Sequence, residues 1–232
     1  MKKIFAIVLA AALLAVGLPA SAEPDLTFAG EDVSAFSSEL IDGTPVDGSV
    51  FGEYRVSAVT YWATWSANCR AQMAILQDIH DQHPDFGVMG LLYVDGTSTA
   101  AAASEFMAEN GYTFPVFTCD EVWTGIVERS FFLPQTFIIS RTGIILEGWT
   151  ASFSSPSELE TRLVFWDGAV PWSGDVDRNG ALEPVDALMA LRMALGLIEY
   201  DEADVLCADL NLDGVLNTED ALLIIRRALG II

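Results

Sequence analysis

The sequence predicts two domains of different class. The first is α/β, a central sheet with helices on both faces; the second is a small all-α domain of two loop–helix units. Two observations carry this. Across residues 36–165, apolar strand-like runs alternate with helix-like segments, the pattern of a largely parallel sheet buried on both sides. Residues 175–198 and 209–232 then repeat each other at a fixed offset, sharing Asp175/Asp209, Gly180/Gly214, Leu182/Leu216, Asp186/Asp220, Ala187/Ala221 and Arg192/Arg226. So many matches at one offset mark an internal duplication.

Each element follows from local pattern. Residues 58–62 and 88–94 are apolar, β-branched-rich runs and read as buried strands, with helical periodicity between them at 69–80. An alanine-rich helix follows at 97–110, a strand at 112–118 and a helix at 121–130. Strands at 135–140 and 143–148 form a hairpin across Arg141-Thr142, and a helix at 157–166 closes the domain. Pro171 and Gly174 stand ahead of the first repeat, so no helix enters it. After each loop, Leu188, Leu191, Leu195 and Leu222, Ile225, Leu229 recur at helical spacing. Neither helix is long enough to stand alone in water, so the two should pack antiparallel around one small core.

Residues 1–22 carry Lys2 and Lys3, an apolar run and Ala20-Ser21-Ala22, the pattern of a cleaved secretion signal. This divides the chain into a signal at 1–22, an α/β domain at 23–166, a linker at 167–173 stiffened by Pro171, and the repeats at 174–232. The expected location is extracellular, with no membrane association after cleavage. The formal net charge is −22, and it becomes −24 once the two leader lysines are gone. Such a chain repels nucleic acid and anionic membranes, so neither is an expected partner. Three cysteines, Cys69, Cys119 and Cys207, leave at least one thiol unpaired within the chain. No pair of carboxylates can be placed across a sugar cleft, so a glycoside hydrolase is not expected.

The repeats have the spacing of a calcium loop. Ca²⁺ takes six to eight oxygens, supplied by loop positions 1, 3, 5, 7, 9 and 12. The first loop offers Asp175, Asp177, Asn179, the Ala181 carbonyl, Glu183 and Asp186; the second offers Asp209, Asn211, Asp213, the Val215 carbonyl, Asn217 and Asp220. Gly180 and Gly214 fall at position 6, where the chain turns sharply. Position 12 is Asp, a shorter arm than the usual Glu. Two bound ions are expected, with folding coupled to their binding because the carboxylates repel without a cation.

This arrangement closely resembles a type I dockerin, the module that plugs proteins into the cohesins of a cellulosome-type scaffold. The resemblance implies cohesin contacts at Pro184, Val185, Leu191, Arg192 and Gly196, and at Thr218, Glu219, Ile225, Arg226 and Gly230. Many dockerins keep near-identical residue pairs and bind in two orientations; Pro184-Val185 and Thr218-Glu219 differ, which argues against that here.

In the first domain, Tyr61-Trp62-Ala63-Thr64-Trp65-Ser66-Ala67-Asn68-Cys69-Arg70 spans a strand-to-helix junction, and Leu133-Pro134-Gln135-Thr136-Phe137 opens a later strand. Together they resemble the thioredoxin fold, in particular secreted redoxins of the TlpA type, over about residues 33–165. The resemblance implies a mixed central sheet, a cis Pro134 facing the motif and a W-C-x-x-C pair. Here the first cysteine of that pair is Ser66. A hydroxyl without an adjacent histidine has no means of ionising comparable to a thiol at a helix N-terminus, and His80 and His83 lie at the far end of the helix. Thr60 stands where thioredoxins carry a buried acid. The dithiol cycle should therefore be absent, and no cofactor is expected in this domain.

Three readings of Cys69 remain open: a small core residue, a monothiol that traps disulfides or meets oxidants, and a disulfide partner of Cys119. Three functions follow: a scaffold-docked protein acting by binding, an active monothiol oxidoreductase on protein or peptide thiols or peroxide, and a purely structural subunit.

Overall fold

The computed structural model describes residues 28–130 and 132–232. The expected signal segment, 1–22, lies outside the described residues. The described chain forms two compact units, one ending at Asp167 and the other running from Gly168 to Ile232.

In the first unit, a short antiparallel hairpin of β1 (Ser37–Glu39) and β2 (Pro45–Asp47) precedes a 3-10 turn. Then follow β3 (Val56–Trp62), α1 (Ala67–Gln82), β4 (Phe86–Leu92), α2 (Ala100–Asn110), β5 (Val116–Thr118), α3 (Glu121–Val127), β6 (Gln135–Ser140), β7 (Ile145–Trp149) and α4 (Pro156–Trp166). The main sheet has the order β5-β4-β3-β6-β7. The β3–β4 and β4–β5 pairs are parallel, while β3–β6 and β6–β7 are antiparallel. The sheet is thus mixed, as the thioredoxin resemblance implies, and not the largely parallel sheet that the strand–helix alternation alone suggests. A strand–helix alternation cannot reveal this, because the orientation of β6 is set by where the preceding loop delivers it. The β1–β2 hairpin also escaped the strand pattern, since three-residue strands are too short to show a period of two.

Every residue of β3, β4, β6 and β7 is buried, as a sheet covered on both faces requires. Alternate residues divide between the faces. Val59 and Tyr61, Met89 and Leu91, and Phe137 and Ile139 pack in one cluster with Phe36, Phe51 and Trp123, Ile126 and Val127 of α3. Trp62 points the other way and meets Phe106 of α2, ring centroids 5.6 Å apart. On β7 the buried Glu147 carboxylate accepts from Trp149 Nε1 (2.7 Å), Arg162 Nε (2.8 Å), Arg162 Nη2 and Trp166 Nε1 (2.9 Å). Four donors around one buried anion pin α4 to β7, and each charge is paired where it is buried.

The second unit holds α5 (Pro184–Ala194), α6 (Glu202–Ala208) and α7 (Thr218–Ala228). Its core is Val176, Ala187, Ala190, Met193, Ala208, Leu216, Ala221 and Ile224. The helical spacing is as read, but the face is not. Leu188 (45 % exposed), Leu195 (58 %), Leu222 (48 %) and Leu229 (60 %) stand on the surface. The face beside them, built on alanines small enough for close helix approach, forms the core. Leu191 and Ile225 pack against it half-buried. α6 lies in the segment between the repeats, to which the sequence pattern assigned no element. Of residues 167–173, expected as a linker, 168–173 belong to this unit: the Trp172 N–H donates to Leu206 O (2.8 Å), and the N–H of the following Gly174 to Cys207 O (2.9 Å).

Candidate functional site

The degenerate motif sits where β3 hands over to α1. Ser66 is the N-cap of α1, in extended conformation, with Oγ accepting the Cys69 N–H at 3.3 Å. That bond satisfies one of the unpaired donors of the first helical turn, a role serine fills well. Cys69 is fully buried, and burial pushes its thiol up, with the Ser66 hydroxyl the main opposing influence. A raised pKa is the reverse of what thiol attack requires.

Around it the rim of the sheet is braced. Trp65 is 49 % exposed; its Nε1 donates to Asp95 Oδ2 at 2.9 Å and its ring meets Tyr93 edge-on. Asp95 Oδ1 accepts the N–H groups of Thr97 (2.7 Å) and Ser98 (2.6 Å), and these bonds hold its carboxyl below the usual range. Ser98 Oγ accepts the Thr64 N–H at 3.1 Å, closing the brace. Thr60 and Thr136 share a buried hydroxyl–hydroxyl bond of 2.9 Å. The Leu133–Pro134 bond is cis, and the β3–β6 register, Tyr61 opposite Gln135, brings Pro134 to the same end of the sheet as the motif. Phe132 and Val94 are exposed on that rim. The Asp95 brace was not legible in sequence, because thirty residues separate it from Trp65.

Cys69, Cys119 and Cys207 are all unbonded. Cys119, half-buried after β5, is pushed up to about 12 by burial and by the charges of Asp120 and Glu128. Cys207 is fully buried in α6 and pushed up to about 11, again by burial first.

The two loops of the second unit have one geometry. Asp175 accepts the N–H groups of Asn179 (3.1 Å) and Gly180 (2.8 Å); Asp209 accepts those of Asp213 (3.2 Å) and Gly214 (2.9 Å). Asp186 reaches back to the N–H groups of Val176 (2.9 Å) and Glu183 (2.8 Å), and Asp220 to those of Leu210 (3.1 Å) and Asn217 (3.0 Å). Each aspartate at position 12 thus closes its loop onto its own helix. Gly180 and Gly214 have φ of 90° and 80°, a left-handed turn at little cost without a Cβ. In the first loop, carboxylate oxygens of Asp175, Asp177 and Asp186 lie within 4.8 Å of one another. Burial, and then the charge of Asp186, raises Asp175 against the opposing Gly180 bond; Asp209 is raised the same way with Asp220. Clustered, half-desolvated carboxylates of this kind fit a hard divalent cation.

Of the residues expected at the partner surface, Pro184, Val185, Arg192, Gly196, Thr218, Glu219, Arg226 and Gly230 are exposed, whereas Leu191 and Ile225 serve partly as core. The exposed leucines beside Arg192 and Arg226 were missed, because their spacing equally suits a buried face.

Residues 173–229 match the dockerin type I domain. A dockerin implies a cohesin partner, dockerin domains generally bind calcium, and cellulosome association follows from the same match. Solved structures resemble the first unit. A thiol:disulfide interchange protein of the thioredoxin family from Chlorobium tepidum TLS is 18% identical, with a TM-score of 0.50, covering 63% of this chain and 98% of that one. A DsbF homologue from Corynebacterium diphtheriae is 17% identical, also at 0.50, covering 58% and 85%. The first unit is therefore thioredoxin-like in fold. No curated protein matches this chain.

Proposed function

We propose that this is an exported protein, led by a signal at 1–22 and docked onto a cohesin-bearing scaffold through residues 174–232. Its thioredoxin-like domain, residues 23–166, works by binding rather than by dithiol exchange. The observation that carries this is Ser66, which occupies the nucleophile's position as a helix cap, its hydroxyl engaged by the Cys69 N–H. The burial and raised pKa of Cys69 weigh against a monothiol enzyme. The exposed Trp65, held by Asp95 at the end of the sheet that also carries Pro134, supports a role as an apolar anchor for an extended partner segment.

In the dockerin, Asp175, Asp177, Asn179, Ala181, Glu183 and Asp186 would hold one Ca²⁺, and Asp209, Asn211, Asp213, Val215, Asn217 and Asp220 a second. The ions would neutralise seven clustered carboxylates and present α5 and α7 to the cohesin. Contacts would come from Pro184, Val185, Arg192 and Gly196 or from Thr218, Glu219, Arg226 and Gly230, with the exposed leucines between them.

The test is disulfide reduction of insulin by the full chain. The native protein should be inert, while Ser66→Cys, which restores a dithiol at a helix N-terminus, should gain activity. Turnover by the native chain that Cys69→Ala abolishes would establish the monothiol enzyme instead.

A further inference from the structure

We infer that α6 couples the two calcium loops of the dockerin, so that ordering of the first loop raises the calcium affinity of the second. The inference rests on the calcium reading given above. α6 sits between the loops and is tied to both. Its C-cap residue is Asp209, the first ligand position of the second loop. Its last-turn carbonyls, Leu206 and Cys207, accept the N–H groups of Trp172 and Gly174, which lead directly into Asp175 of the first loop. Its other end is held by Arg178, at position 4 of the first loop. The Arg178 guanidinium lies 2.9 Å from Asp201, the N-cap of α6, and 2.6 Å from Asp204, its third residue.

The clamp is one-sided. Position 4 of the second loop is Leu212, which shares the left-handed backbone of Arg178 (φ 62° against 57°) but is exposed. Arg178 is therefore not needed for the loop's turn, and it forms ion pairs with both Asp201 and Asp204 of α6. A seven-residue helix does not persist in water by itself. Its formation depends on anchors at both ends, and the first loop supplies one end through Arg178 and borders the other through Gly174. When the first loop is ordered, α6 is in place and Asp209 is already set where its loop requires it. Coupling of this kind is reciprocal, so filling the second loop favours the first equally.

The experiment is a calcium titration of the full chain by amide NMR. Gly180 and Gly214, whose N–H groups bond Asp175 and Asp209, report the two loops separately. In the native protein both resonances should move together over one steep range of calcium. In Arg178→Leu, which copies the second loop's own residue, Gly214 should respond only at calcium concentrations higher by a factor of about 5 or more, within the usual span of allosteric coupling. Asp204→Asn provides the same test with the capping geometry kept, should Arg178→Leu fold poorly at saturating calcium. Two well-separated transitions in the native chain, or unchanged joint transitions in both variants, would overturn the coupling. No calcium response at either glycine of the native chain would overturn the calcium reading itself, and the coupling with it.

Discussion

In the proposed reading, one oxygen at Ser66 decides the chemistry of the first domain. A thiol there would be ionised by the helix N-terminus, whereas the hydroxyl caps it. Replacing Ser66 by Ala should cost about 1 kcal/mol of stability, the ordinary value of an N-cap, measured by urea unfolding; no loss would mean that the cap is idle. Cys69 should alkylate slowly. Its pKa is raised, so the thiolate forms only above the ordinary thiol range near 8.5, and the rate should still be climbing past pH 9. Mass spectrometry of the Cys69 peptide reads this directly, and a plateau at or below pH 8.5 would restore the monothiol enzyme. The motif and the proposed calcium ligands can be read in sequence because each is set by contiguous residues. Asp95, which fixes Trp65, cannot be, since only the sheet brings the two loops together.

Among the elements, the dockerin helices show how far periodicity reaches. A stripe of leucine and a neighbouring stripe of alanine share one helical period, and the period does not say which faces the partner helix. Ile224→Ala should cost about 2–5 kcal/mol of calcium-loaded stability through a cavity, whereas Leu222→Ala should cost under about 1 kcal/mol. Differential scanning calorimetry separates the two, and equal losses would return the leucine stripe to the core. In the first domain, the Glu147 cluster ties α4 to β7. Glu147→Ala strands Arg162 in a dry interior and should cost about 3–5 kcal/mol, followed through the fluorescence of Trp149 and Trp166. A loss below about 1 kcal/mol would mean that the charge finds water. Sequence offered no hint of this pair, whose members belong to different elements.

For the whole molecule, the two units rest on different physics. The thioredoxin-like unit buries large apolar side chains on both faces of a sheet. The dockerin has a small core and two acidic loops, so its stability should be bound to calcium. Chelation should remove one calorimetric transition and leave the other in place; a thioredoxin-like transition that shifts with chelation would contradict this. The sequence by itself determined the order of the two folds, the serine in place of the motif's first cysteine and the oxygen-donor spacing of both loops, because each is written in short contiguous runs. Tertiary structure alone decided which faces of α5 and α7 meet, the brace on Trp65 and the bridge made by α6. These depend on where the chain returns in space, and that follows from the packing of the whole core.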